Sequence, residues 1–283
     1  MIATTLRQLC RCAAPLIVII ALPAGAARAA DASPWDGDAR AAMRLIAGTR
    51  QDATAARAGI EIRLAPGWKT YWRYPGDSGV PPRFDFAGSQ NVKSVDVAWP
   101  APHRFSDESG ITIGYKDGVI FPLHIVPQDT SKPVRLRVKA DYAVCEKICI
   151  PVVGRAELLL DGRRSELGST LAAFEAQVPR KARLGDNAPL AVRAVSQDRS
   201  GARPRILVDV AAPGTGPIDL FAEGPTPEWA LPVPEPIAGA PAGLHRFAFV
   251  LEGAPPGART DGALLTLTLV AGANAIEVST HLD

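Results

Sequence analysis

Asp141-Tyr142-Ala143-Val144-Cys145-Glu146-Lys147-Ile148-Cys149-Ile150-Pro151 is the stretch on which the reading of this chain turns. Two cysteines lie four positions apart, between runs that look like strands: Val134 to Tyr142 before them and Pro151 to Leu160 after. On one straight strand their Cα atoms would stand about 13 Å apart, whereas a disulfide needs about 4.4 to 6.8 Å. A bond between them therefore demands a sharp turn at Glu146 to Ile148. A small ring closed across a tight turn is open to strain, and a strained or exposed disulfide is more easily reduced than a structural staple. Redox exchange is the sharp reading of the pair. A static bond that staples a hairpin is the bland one.

Whether these cysteines meet oxidising surroundings is decided at the N-terminus. Arg7 and Arg11, the apolar run Ala13 to Leu22, and Ala27-Arg28-Ala29 read together as a cleaved export signal over residues 1–30. The run is broken by Pro15, ended by Pro23, and far short of the roughly 20 residues that span a bilayer. Cys10 and Cys12 precede the apolar core and leave with the signal, so Cys145 and Cys149 remain. An exported chain lives where disulfides persist, and the pair is expected to be oxidised unless electrons are delivered. The mature protein is expected to be soluble and periplasmic, without a spanning segment. A net charge of +2, with no basic cluster interleaved with aromatics, argues against nucleic acid. The four histidines are scattered, and no Ser, His and Asp grouping supports a hydrolase.

The chain divides by pattern. Residues 31–56 read as a polar lead-in with a short helix over 38–47. Strand alternation begins at Ala58-Gly59-Ile60-Glu61-Ile62-Arg63-Leu64, and Trp68 to Trp72 forms the next strand, closed by the turn chemistry of Tyr74-Pro75-Gly76-Asp77-Ser78-Gly79. Further strands are expected at 83–86, 92–99, 118–126, 134–142 and 151–160, with a long loop over 100–116. Their spacing predicts a first β-sandwich over 57–162. Leu167, Leu171, Phe174 and Val178 recur at helical spacing, which predicts a helix over 163–181 within a linker to 185. Residues 186–283 carry strand runs at 190–196, 205–210, 218–222, 245–251, 263–270 and 275–280, with a Pro-rich loop over 225–241, and read as a second sandwich of unassigned role. The fold class is all-β: two immunoglobulin-like sandwiches joined by a short helix.

With these residues laid out, the first half resembles the periplasmic N-terminal domain of the DsbD family of disulfide reductases, and its ScsB-like branch most closely. The resemblance runs over about residues 55–165. It rests on Gly67-Trp68-Lys69-Thr70-Tyr71-Trp72-Arg73-Tyr74-Pro75-Gly76-Asp77-Ser78-Gly79, on Trp99-Pro100, on Ile113-Gly114-Tyr115 and on Ala140 to Pro151. It implies an immunoglobulin-like sandwich whose cysteine pair, here Cys145 and Cys149, relays electrons. The donor would be a membrane-embedded DsbD- or ScsB-like reductase, and the acceptor a periplasmic thioredoxin-fold protein. A loop caps the family's cysteines and would fall in 105–115 here. The multi-helix membrane domain and the C-terminal thioredoxin-like domain of that family are not in this sequence, so the donor is expected to be a separate protein.

Several side chains are expected around the sulfurs. Tyr71 and Tyr74 are candidates to line the cysteine face; Phe105 and Tyr115 are candidates for the cap. Trp68 and Trp99 read as core. Asp141 is a candidate proton carrier during exchange. Lys147 would lower a thiol pKa, whereas Glu146 and Asp141 would raise it. Cys145 is favoured as the shielded sulfur and Cys149 as the one attacked. No cofactor and no metal is called for. The rival from another class is a binding or scaffold protein with a static disulfide, in which Cys145, Cys149 and His103 or His124 would bind copper(I). With only Met1 and Met43, the chain lacks the methionine clusters of exported copper carriers.

Overall fold

The apolar and polar residues that alternate from Ala56 onward fold into strands whose apolar sides meet in a common interior. The computed structural model describes residues 30–282, apart from 51–53, 77–78, 108–109 and 202. The export signal expected over 1–30 lies, but for its last residue, outside the described residues. The first half comprises β1 (Asp36–Gly37), β2 (Ala41–Ala47), β3 (Ala56–Leu64), β4 (Lys69–Gly76), β5 (Arg83–Asp85), β6 (Val92–Val97), β7 (His103–Asp107), β8 (Gly110–Lys116), β9 (Gly118–Pro127), β10 (Val134–Cys145) and β11 (Cys149–Leu160). One sheet runs β1-β2-β3-β9-β6; the other runs β11-β10-β4-β8-β7, with β5 also on β10. Ile60, Ile62, Phe121 and Leu123 of the first sheet pack with Trp72, Leu136, Val138 and Val144 of the second. Each such side chain, once buried, contributes about 1.5–3 kcal/mol.

Beyond a short helix, α1 (Gly168–Glu175), the second half comprises β12 (Arg180–Ala182), β13 (Ala191–Asp198), β14 (Arg205–Ala211), β15 (Ile218–Glu223), β16 (Glu235–Ile237), β17 (His245–Val250), β18 (Leu264–Ala271) and β19 (Asn274–His281). These form two four-stranded sheets, β12-β19-β18-β15 and β13-β14-β17-β16. Val192, Val208, Leu220, Phe247 and Leu267 lie in their shared core. The chain is thus nearly all-β. Among the described residues no helix is long and apolar enough to cross a membrane.

Three expectations give way. Residues 41–47 form β2, where a helix was expected. Met43 and Leu45 enter the main core while Ile46 packs on Ile120 and Leu171, so both faces are covered and the period-two signal disappears. Residues 103–107 and 110–116 form the β7–β8 pair where a long loop over 100–116 is expected. Its polar side chains have work to do: Arg104 pairs with Asp219 at 3.0 Å and Glu235 at 2.9 Å. The linker helix shrinks to α1, because Arg180 and Lys181 join β12 in parallel pairing with β19 and only Leu171 of the expected stripe is fully buried.

The two halves share apolar and ionic contacts beside β4. Phe221, Val233, Val270 and Ala275 complete the first core, with the Phe221 ring 5.7 Å from that of Trp72. Arg73 lies over the Trp72 ring and pairs with Glu223 at 2.6 Å and Glu277 at 2.7 Å. Burial works against the Arg73 charge, but the hydrogen bonds and charges of Glu223 and Glu277 outweigh it and raise the guanidinium pKa. The Tyr74 hydroxyl donates to the Leu231 carbonyl.

Candidate functional site

Strands β10 and β11 pair residue for residue from Val134 opposite Leu160 to Cys145 opposite Cys149, leaving Glu146 to Ile148 as the turn. The turn brings the two Cα atoms to 4.2 Å, and the sulfurs are bonded. Cys145 is 2% exposed, inside the sheet, whereas Cys149 lies on the solvent side. Burial therefore distinguishes the two sulfurs. Ile148, at the turn, is 75% exposed.

Strand β4 supplies the floor of the site. Lys69 stands opposite Cys145 and Thr70 opposite Val144, and Tyr71 stands opposite Gly114 on β8. Residues directly opposite across a ladder share a face, and neighbours along a strand alternate. Lys69, Tyr71, Cys145 and Cys149 consequently share one face, while Thr70, Val144 and Tyr115 belong to the other. The Thr70 hydroxyl donates to the Ala143 carbonyl at 2.9 Å and ties β4 to β10 beneath the pair. Gly114 is required where it stands: a Cβ there would lie 2.0 Å from the Thr70 carbonyl oxygen.

Tyr71 is the side chain that meets the sulfurs. Its Oη lies 2.7 Å from Cys145 Sγ and 3.0 Å from Cys149 Sγ. Disulfide sulfurs carry no hydrogen, so the phenol donates. Tyr71 is only 1% exposed and clusters with Ala143 and Cys145. Such a donor stabilises negative charge developing on either sulfur as the bond opens.

The other expected residues are dispersed. Tyr74 is engaged by Leu231. Tyr115 is buried in the core, packs edge-on against Phe121 and donates to the Pro100 carbonyl at 2.8 Å; burial pushes its phenol well above the usual range. Phe105 sits on β7 opposite Thr112, with Lys116 Nζ 4.3 Å from its ring centroid. Asp141 lies four residues before Cys145, about 13 Å along β10, in an ion pair with Lys139 at 2.9 Å. Glu146 leans over the Gly67 turn, within 3.5 Å of where a Cβ would be, and Lys147 is exposed. Trp99 packs with Phe84 and Phe121, and Trp68 borders the same core. His124 is on the opposite sheet beside Asp96, at 4.0 Å. Among the described residues no three of His, Cys, Asp and Glu are grouped to hold a metal ion.

Lys69, within the expected strand Trp68 to Trp72, is a neighbour of the sulfurs that the sequence reading does not single out. It is 6% exposed, cross-strand from Cys145, and donates to the buried Thr112 hydroxyl at 3.3 Å. Counting back two positions from Tyr71 would have found it, since period two puts both on the cysteine face.

Comparison with known proteins agrees with this geometry. Residues 39–161 match the family model described as thiol:disulfide interchange protein DsbD, N-terminal. The fold as a whole is similar to the crystal structure of the N-terminal periplasmic domain of ScsB from Proteus mirabilis. That match has a TM-score of 0.68 and 20% sequence identity, and covers 89% of this chain and 98% of that one. No curated protein gives a significant sequence match. A bonded cysteine pair at a hairpin tip, one sulfur buried and one exposed, thus falls within the family's region: residues 39–161 form a DsbD N-terminal domain, a thiol–disulfide exchange domain that holds the Cys145–Cys149 disulfide.

Proposed function

We propose that the protein is a periplasmic electron carrier in which Cys145 and Cys149 pass electrons from a separate membrane-embedded DsbD- or ScsB-like reductase to a thioredoxin-fold partner. The observation that carries this reading is the Tyr71 phenol donating to both sulfurs of a pair whose outer member is exposed. A structural staple has no use for a buried donor aimed at its sulfurs. The molecule divides by function into a redox sandwich built from β1 to β11, the helix α1, and a second sandwich built from β12 to β19 that buttresses β4.

In the donating direction, the Cys149 thiolate attacks one sulfur of the partner's disulfide. A mixed disulfide forms, and the partner's other sulfur departs as a thiolate. Cys145, as thiolate, then attacks Cys149 Sγ, closing the internal disulfide and releasing the partner with two thiols. Two electrons have moved: the partner is reduced and this pair oxidised. Reloading reverses the roles, with a donor thiolate attacking exposed Cys149 Sγ and Cys145 departing. The leaving sulfur is the one 2.7 Å from the Tyr71 hydroxyl, where a hydrogen bond favours the anion.

Serine variants expressed in periplasm test the relay. Cys145→Ser removes the resolving thiol and should accumulate a reductant-sensitive mixed disulfide through Cys149, while Cys149→Ser should accumulate none. Absence of any such adduct from both variants would sink the relay.

A further inference from the structure

Gly79 comes three residues after β4 ends at Gly76, and a preference for turns alone does not account for a glycine there. Gly79 has φ +141°, and a Cβ built on it would stand 2.3 Å from Tyr71 Cε1, 2.5 Å from Cδ1 and 2.8 Å from Cζ. The Gly79 Cα is therefore laid on the ring that hydrogen-bonds both sulfurs. Gly76, at φ +86°, likewise leaves no room for a side chain, since a Cβ there would fall 2.6 Å from the Ile111 carbonyl oxygen on β8. Opposite Tyr71 on β8 the residue is Gly114, which has no side chain to flank the ring. The backbone at Gly79 is a wall for the ring, and Tyr71 is 1% exposed although Gly79 itself faces solvent.

We propose that Gly79 is a positioning residue for thiol exchange: its bare Cα holds the Tyr71 phenol on the Cys145 and Cys149 sulfurs, and any side chain there displaces it. The inference rests on the exchange reading of the pair for its purpose, though not for its test. Two sources of strain meet at this position. A side chain would suffer from the positive φ, which is a cost in stability alone; it would also push the phenol, which alters the sulfurs.

The test separates these by measuring the pH profile of iodoacetamide alkylation on fully reduced protein, which needs no partner. Four forms are compared: wild type, Gly79→Ala, Tyr71→Phe and the double variant. Tyr71→Phe should slow alkylation at neutral pH about tenfold and move the profile upward, as loss of a hydrogen bond to an anion does. Gly79→Ala should slow it similarly, and the double variant no further, because both changes remove the same contact. An unchanged profile for Gly79→Ala, or additive losses in the double variant, would overturn the proposal. Should Gly79→Ala not fold, the nuclear Overhauser contact between Gly79 Hα and the Tyr71 ring protons in reduced wild type decides instead: present, it supports the wall; absent, it overturns it. Failure of the serine variants to trap a partner would remove the relay while leaving these profiles to stand or fall by themselves.

Discussion

Tyr71 Oη within 3.0 Å of both sulfurs and Lys69 opposite Cys145 give the site its polarity. A thiol pair in reduced form needs one sulfur ionised to attack, and a phenol donor and a nearby ammonium both favour that ion. The ammonium is drawn toward Thr112 Oγ1, 3.3 Å away, so its influence should be the smaller of the two. Lys69→Met should slow alkylation of the reduced pair at neutral pH by less than the tenfold or more that a contacting cation gives; Lys69→Arg should restore most of the rate. Equal rates for wild type and Lys69→Met would confine Lys69 to packing.

At the scale of elements, the site depends on β4 lying close to both β8 and β10. Gly114 sets the first approach, with no room for a Cβ against the Thr70 carbonyl. Gly114→Ala should destabilise the protein by about 1–3 kcal/mol, read as a lower thermal midpoint. The strands around the cysteines were legible because one face is more buried than the other, which preserves alternation: β10 shows it from Val134 to Tyr142 and β11 along its length. So was Tyr71 as a candidate for the cysteine face. What the sequence concealed was of two kinds. β2 is covered on both faces and so loses alternation, and β7 is held by Arg104 through ion pairs to distant residues that no local pattern encodes. Tyr74 and Tyr115 looked equivalent to Tyr71 in sequence. Only the ladder registers, with a bulge between Tyr71 and Gly76, reveal that Tyr115 faces inward and that Tyr74 is taken by the second half.

Across the whole molecule, the second half grips the strand that carries Tyr71. Arg73, two residues beyond it, is held by Glu223 and Glu277, and Lys181 also pairs with Glu277. Burial alone would raise the Glu277 pKa; the Lys181 hydrogen bond and the charge and hydrogen bond of Arg73 outweigh it and lower the value below 4.5. A carboxyl depressed in the folded state contributes stability that is present above its unfolded value and lost as pH falls through the folded one. At pH 7, Glu277→Gln should therefore melt below wild type by the equivalent of about 1–3 kcal/mol. The gap should close as pH falls below about 4. A gap constant from pH 7 to pH 3 would show that Glu277 acts by shape alone. The buttress bears on function because β4 connects that grip to the sulfurs. Relay through Cys145 and Cys149 is tested most directly by the reduction potential of the pair, taken from wild-type protein equilibrated in dithiothreitol redox buffers and quantified by thiol labelling. An exchanging pair should be half reduced at a potential above about −300 mV, whereas a pair still oxidised well below that value would be a structural staple and would contradict the relay.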